Sequence, residues 1–74
     1  MSYIKATIKK SSARDEYVLT TIFVTPGVYG EQVTQATGYS RERDAVRGLK
    51  RYAKSNGVTD VTLYTLDGSV KVTV

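Results

Sequence analysis

Ala45, Val46, Leu49, Tyr52 and Ala53 recur at helical spacing, while apolar residues elsewhere in the chain alternate or cluster as strand residues do. A lone amphipathic helix among strands leaves little choice of architecture. Its stripe can be buried only across one face of a sheet. Both ends are punctuated. Ser40 fits the N-cap, and Glu42 and Asp44 fall in the first turns, where the dipole favours acids. Asn56-Gly57 stops the helix, with Gly57 at C′ and Val58 placed to fold back on the last turn. Gly48 sits inside the helix at a cost of about 1 kcal/mol relative to Ala. Beside the stripe, it is expected to let the helix approach the sheet closely.

Ile4, Ala6 and Ile8 alternate with Tyr3, Lys5, Thr7 and Lys9, the period of a half-buried strand. Residues 10–16 are polar and read as a loop. Residues 17–25 form a second strand that is apolar on both faces: Tyr17, Leu19 and Phe23 on one, Val18, Ile22 and Val24 on the other. The pattern leaves open which face is inside. Pro26-Gly27 marks a turn, with Gly27 expected to supply positive φ and Gly30 extending the loop. Residues 32–37 make a polar third strand suited to an edge. Residues 58–66 and 69–74 read as a hairpin closed by Asp67-Gly68. That turn pairs Thr65 with Val70, Leu63 with Val72 and Val61 with Val74, and sets Tyr64 beside Lys71 and Thr62 beside Thr73. The expected fold is a single α+β domain over residues 1–74. It has two layers: an antiparallel sheet of four or five strands in the order β-β-β-α-β-β, with one helix across one face.

A chain of 74 residues buries only roughly 60% of its unfolded surface, so its stability needs a well-packed core or a second copy. With no cysteine and no histidine, disulfides, thiolate metal sites, the usual zinc sites and imidazole bases are all excluded. No apolar run approaches the roughly 20 residues that span a bilayer, and the N-terminus lacks the regions of a secretory signal. The expected setting is the cytoplasm of a bacterium or of a phage-infected host cell. Catalysis needs convergent groups. The nearest carboxylate pairs are Asp15-Glu16, in a loop, and Asp60 and Asp67, near opposite ends of one strand. Gly27, Gly30 and Gly38 lack phosphate-loop spacing. A non-enzymatic protein is expected, with no cofactor, no metal and no small-molecule substrate.

Charge gives the sharper signal. Between Arg41 and Lys54, six basic residues face two acids, giving +4; the other sixty residues carry five of each and sum to zero. Arg43, Arg47, Lys50 and Lys54 follow an i, i+4, i+7, i+11 spacing along a line about 16 Å long, comparable to several phosphates of a nucleic-acid strand. Arg51 flanks the line. Glu42 and Asp44 lie off it and cannot neutralise it along its length. A second candidate surface is the sheet face turned away from the helix, where Tyr3, Lys5, Tyr64 and Lys71 combine aromatic rings with cations, as base-stacking sheets do. The same face could join two copies of the chain.

From Gly38 onward the order is Gly-Tyr-Ser, a basic helix ending in Ala53-Lys54 and Asn56-Gly57, a strand, and Asp67-Gly68 before a last strand. This resembles small bacterial domains of unknown function with the same punctuation. The three strands before a helix are similar to the arm-site DNA-binding domains of phage-type integrases, which read DNA with the sheet. Those end at the helix, whereas a hairpin follows here. Size and topology also resemble phage-encoded inhibitors of bacterial defence, including anti-CRISPR proteins. The likenesses rest on punctuation, size and topology and bring no functional residues. It is the basic stripe that leads to the expectation of a binding module whose helix contacts nucleic acid or a nucleoprotein. The alternatives are a phage-encoded inhibitor placing that helix on an acidic surface of a host complex, and a homodimeric structural protein using the open sheet face or an edge strand.

Overall fold

The computed structural model of the chain describes residues 2–27, 30–65 and 67–74. Six elements follow in the expected order: β1 (Tyr3–Ser11), β2 (Glu16–Thr25), β3 (Glu31–Tyr39), α1 (Glu42–Ser55), β4 (Val61–Thr65) and β5 (Gly68–Val72). The strands form one sheet, ordered β3-β2-β1-β4-β5, and α1 packs on one face of it, mainly over β2 with β1 and β3 alongside. The α+β architecture expected from the sequence is present, with one difference. β1 pairs antiparallel with β2, β2 with β3 and β4 with β5, but β1 and β4 run parallel. Connectivity explains it. The first three strands reverse in turn, α1 carries the chain back along the sheet, and β4 therefore sets out in the direction of β1.

Alternation decides what lies under the helix. Ile4 and Ala6 of β1 are buried, as are Leu19 of β2 and Val61 of β4. They meet Ala45, Leu49 and Ala53, all fully buried on the inner face of α1. The second strand is now oriented: Leu19, Thr21 and Phe23 face the helix, and Val18, Thr20, Ile22 and Val24 face away. Small side chains at Ala6, Ala45 and Ala53 allow close approach, while Phe23 and Tyr52 meet edge-on with ring centroids 6.4 Å apart.

Several local expectations are corrected. Lys10 and Ser11 still pair in β1, opposite Tyr17 and Glu16, so the polar loop shrinks to a turn over residues 12–15. The N-cap is Arg41, not Ser40, and its side chain makes no capping bond; its carbonyl accepts from the N–H groups of Asp44 and Ala45. At the other end the expected cap forms. Gly57 N–H donates to the Lys54 carbonyl at 3.1 Å and Val58 N–H to that of Ala53 at 2.9 Å, a Schellman pair with Gly57 at φ 66. Val58 thus belongs to the helix cap and is buried there, and β4 begins later than expected, at Val61. In the loop after β2 the positive φ falls on Gly30 (φ 46), not Gly27; residues 28 and 29 lie outside the described residues.

The last hairpin is shifted by two residues from the expected register. Thr65 pairs with Gly68, Leu63 with Val70 and Val61 with Val72. Leu66, the expected end of the first strand, lies outside the described residues. An even shift leaves every side chain on its expected face. It brings Val72 against the core in place of Val74. It also places Lys71 opposite Thr62, from where its Nζ reaches Asp60 Oδ1 at 2.8 Å.

Candidate nucleic-acid interface

The outer face of α1 is opposite the Ala45–Leu49–Ala53 stripe, and the helix repeat sends the basic residues there. Arg43, Arg47, Lys50, Arg51 and Lys54 are all exposed, as is Arg41 at the N-cap. Among the described residues, no carboxylate lies within 4.0 Å of any of these six. The ion pairs that do occur are elsewhere: Lys10 with Asp15 and Arg14 with Glu16, both at 3.9 Å, and Lys71 with Asp60 at 2.8 Å. Cations outside the helix thus take up Asp15, Glu16 and Asp60, and the surplus charge stays on α1. The row from Arg43 to Lys54 is continuous along one side of the rod.

One flank of the row is not flat. Arg47 and Arg51 line an open concavity of about 380 Å³ with Gly38, Tyr39, Ser40, Asp44 and Gly48. It lies where the end of β3 passes beneath the helix. Gly48 makes it possible: a Cβ there would fall on the Tyr39 hydroxyl and within 2.6 Å of Tyr39 Cζ. The expected close approach is therefore helix to tyrosine. Two guanidiniums, a phenol and a hydroxyl around one hollow can hold an anionic oxygen cluster, and the Asp44 carboxylate can accept from a neighbouring amino group. Spacing along the chain sets Arg51 at the flank of the row and leaves Tyr39, Ser40 and Asp44 outside it; the fold brings them together. The available signal was Gly48 itself, a glycine on a helix flank that marks a close neighbour without naming it.

The second candidate surface is assembled in part. Tyr3, Lys5, Tyr64 and Lys71 share the face away from the helix, as alternation implied. Lys5 Nζ lies 5.8 Å from the centre of the Tyr3 ring, and Lys5, Thr62 and Lys71 fall in one cross-strand row. Tyr64, 43% exposed, sits one row further on, opposite Ser69 and not beside Lys71. The Lys71 charge is matched by Asp60. Tyr64 borders two open hollows, one of about 120 Å³ with Lys5, Ala6, Thr7, Thr20 and Ile22, and one of about 420 Å³ with Thr7, Ile8, Lys9, Lys10 and Thr65. Lys9 lies on the same face, so with Lys71 paired it carries two lysines with no carboxylate within 4.0 Å among the described residues. Against six such cations on and beside α1, it is the weaker of the two for polyanions.

Among the described residues no helix is long and apolar enough to cross a membrane, and no group of three or more acidic, histidine or cysteine side chains is placed to hold a metal ion. Comparison with protein-family models, with curated proteins and with solved structures finds no match for this chain.

Proposed function

We propose that the protein is a binding module that holds nucleic acid, alone or within a nucleoprotein, through the outer face of α1. Arg43, Arg47, Lys50 and Lys54 contact successive phosphates, and Arg51 joins Arg47 in the hollow beside Tyr39. The observation that carries this reading is the exposed cationic row with no intramolecular carboxylate within 4.0 Å among the described residues. Cations not already matched within the molecule are free to neutralise phosphates, and each phosphate neutralised releases cations condensed on the nucleic acid, which drives binding. Phosphate contacts position without reading sequence, and little base preference follows.

A salt titration tests the proposal. DNA and RNA oligonucleotides are titrated with wild-type protein and with a variant carrying Arg43, Arg47, Lys50 and Lys54 changed to Ala. Log affinity is expected to fall linearly with log salt. The variant should bind weakly, with a slope reduced by about one unit per contact removed. Polyglutamate of matched charge serves as the comparison: equal affinity for it would point to an acidic protein surface. Wild-type protein that ignores both nucleic acids at low salt overturns the proposal.

A further inference from the structure

Every soluble sheet must deal with its two edges, and this one protects only one of them. β5 is five residues long and carries Lys71, both ordinary defences against unwanted strand pairing. β3, at the other edge, is nine residues long. Its pairing with β2 runs without a bulge from Thr25 opposite Glu31 to Tyr17 opposite Tyr39. From Gln32 to Ser40 there is no charged residue and no proline. Residues 32–38 are exposed throughout, including Val33 at 47%. α1 leaves the outer side of the strand uncovered, because the helix runs mainly over β2. A long, regular, uncharged edge offers a full ladder of backbone donors and acceptors to another strand.

We infer that the strand that completes this edge is β3 of a second copy of the chain, paired antiparallel about a two-fold axis normal to the sheet. Charge permits that occupant, and self-complementarity favours it. Two copies of a net +4 molecule repel over most approaches, but along residues 32–40 each brings only neutral side chains to the seam. An antiparallel strand is its own backbone complement, so one patch serves both partners, as two-fold symmetry requires. The small core gives the association a purpose, since each copy gains a ladder and buried surface that 74 residues alone cannot supply. The product is a continuous ten-stranded sheet with both helices on the same face. The helices lie mainly over β2 and its symmetry mate, three strand intervals apart, which places their axes about 14 Å apart at the usual strand spacing. The cationic rows of both copies then point away from one side of the assembly.

Sedimentation equilibrium without nucleic acid tests this independently of the proposed binding activity. Wild-type protein is expected to reach twice the chain mass at high micromolar concentration. Thr34→Lys with Ala36→Lys sets like charges across the seam on the face away from the helix and should give a folded monomer by circular dichroism. Thr34→Glu with Ala36→Glu should do the same, and mixing the two variants should restore the doubled mass. Hydrogen exchange needs no variant: the β3 amides that face outward in the monomer should slow as wild-type concentration rises. A wild type that stays monomeric, or a folded lysine variant that still dimerises, overturns the inference. So does β3 exchange that is independent of concentration.

Discussion

Single residues carry sharp consequences where the backbone or a neighbour leaves no freedom. Arg41 occupies the N-cap without a capping bond, and its cation faces the positive end of the helix dipole. Arg41→Asp should therefore stabilise the fold by about 1 kcal/mol in urea denaturation, by adding a cap acceptor and reversing an unfavourable charge; unchanged stability would show that Arg41 is held by an interaction of its own. Gly48 makes the opposite case. Alanine is the better helix former by about 1 kcal/mol, yet Gly48→Ala should lose stability, because its methyl group takes the space of the Tyr39 phenol. In a Tyr39→Ala background the same substitution should become stabilising. That reversal of sign, read by thermal denaturation of the four proteins, isolates the contact. Gly57, at φ 66, should cost about 1 kcal/mol on change to Ala.

At the scale of the element, α1 separates folding from binding on its two faces. Leu49 is fully buried against the sheet, and Leu49→Ala is expected to cost about 2–5 kcal/mol, a large share of what so small a domain possesses. The outer face behaves differently. Arg43 and Arg47, Arg47 and Arg51, and Lys50 and Lys54 are like-charged pairs at i, i+4, each destabilising by about 0.2–0.5 kcal/mol. Replacing the row with alanine should leave the melting temperature unchanged or raise it while weakening polyanion binding. A lower melting temperature would mean that the row supports the fold and that its weak binding has a structural cause. The helix and its stripe were legible in the sequence because i, i+3 and i, i+4 neighbours belong to one element. The hollow beside Arg47 and Arg51 was not. It is built from the end of β3 and the flank of α1, and no spacing along the chain records that Tyr39 lies against Gly48.

For the whole molecule, the sheet edges and the distribution of charge dominate. If β3 pairs with its counterpart, stability depends on concentration: the unfolding midpoint should rise with protein concentration in wild type and stay constant in the Thr34→Lys, Ala36→Lys variant. A concentration-independent midpoint in both would argue against the dimer from a second direction. The two surfaces then have separate roles, with the neutral edge assembling the protein and the cationic helices meeting the partner.

What the sequence determined by itself is local. Periods of two and of 3.6 residues set which segments are strands and which is the helix, the spacing of basic residues placed the net charge on one face of α1, and Asn56-Gly57 ended it. Tertiary structure decided what depends on partners distant in the chain. The parallel pairing of β1 with β4 follows from the path of the crossover, and the inward face of β2 follows from its register with Ala6 and Ile8. The hairpin register follows from which valine reaches the core. Alternation constrains a strand only to within an even shift and a choice of face, and contacts between elements remove that remaining freedom.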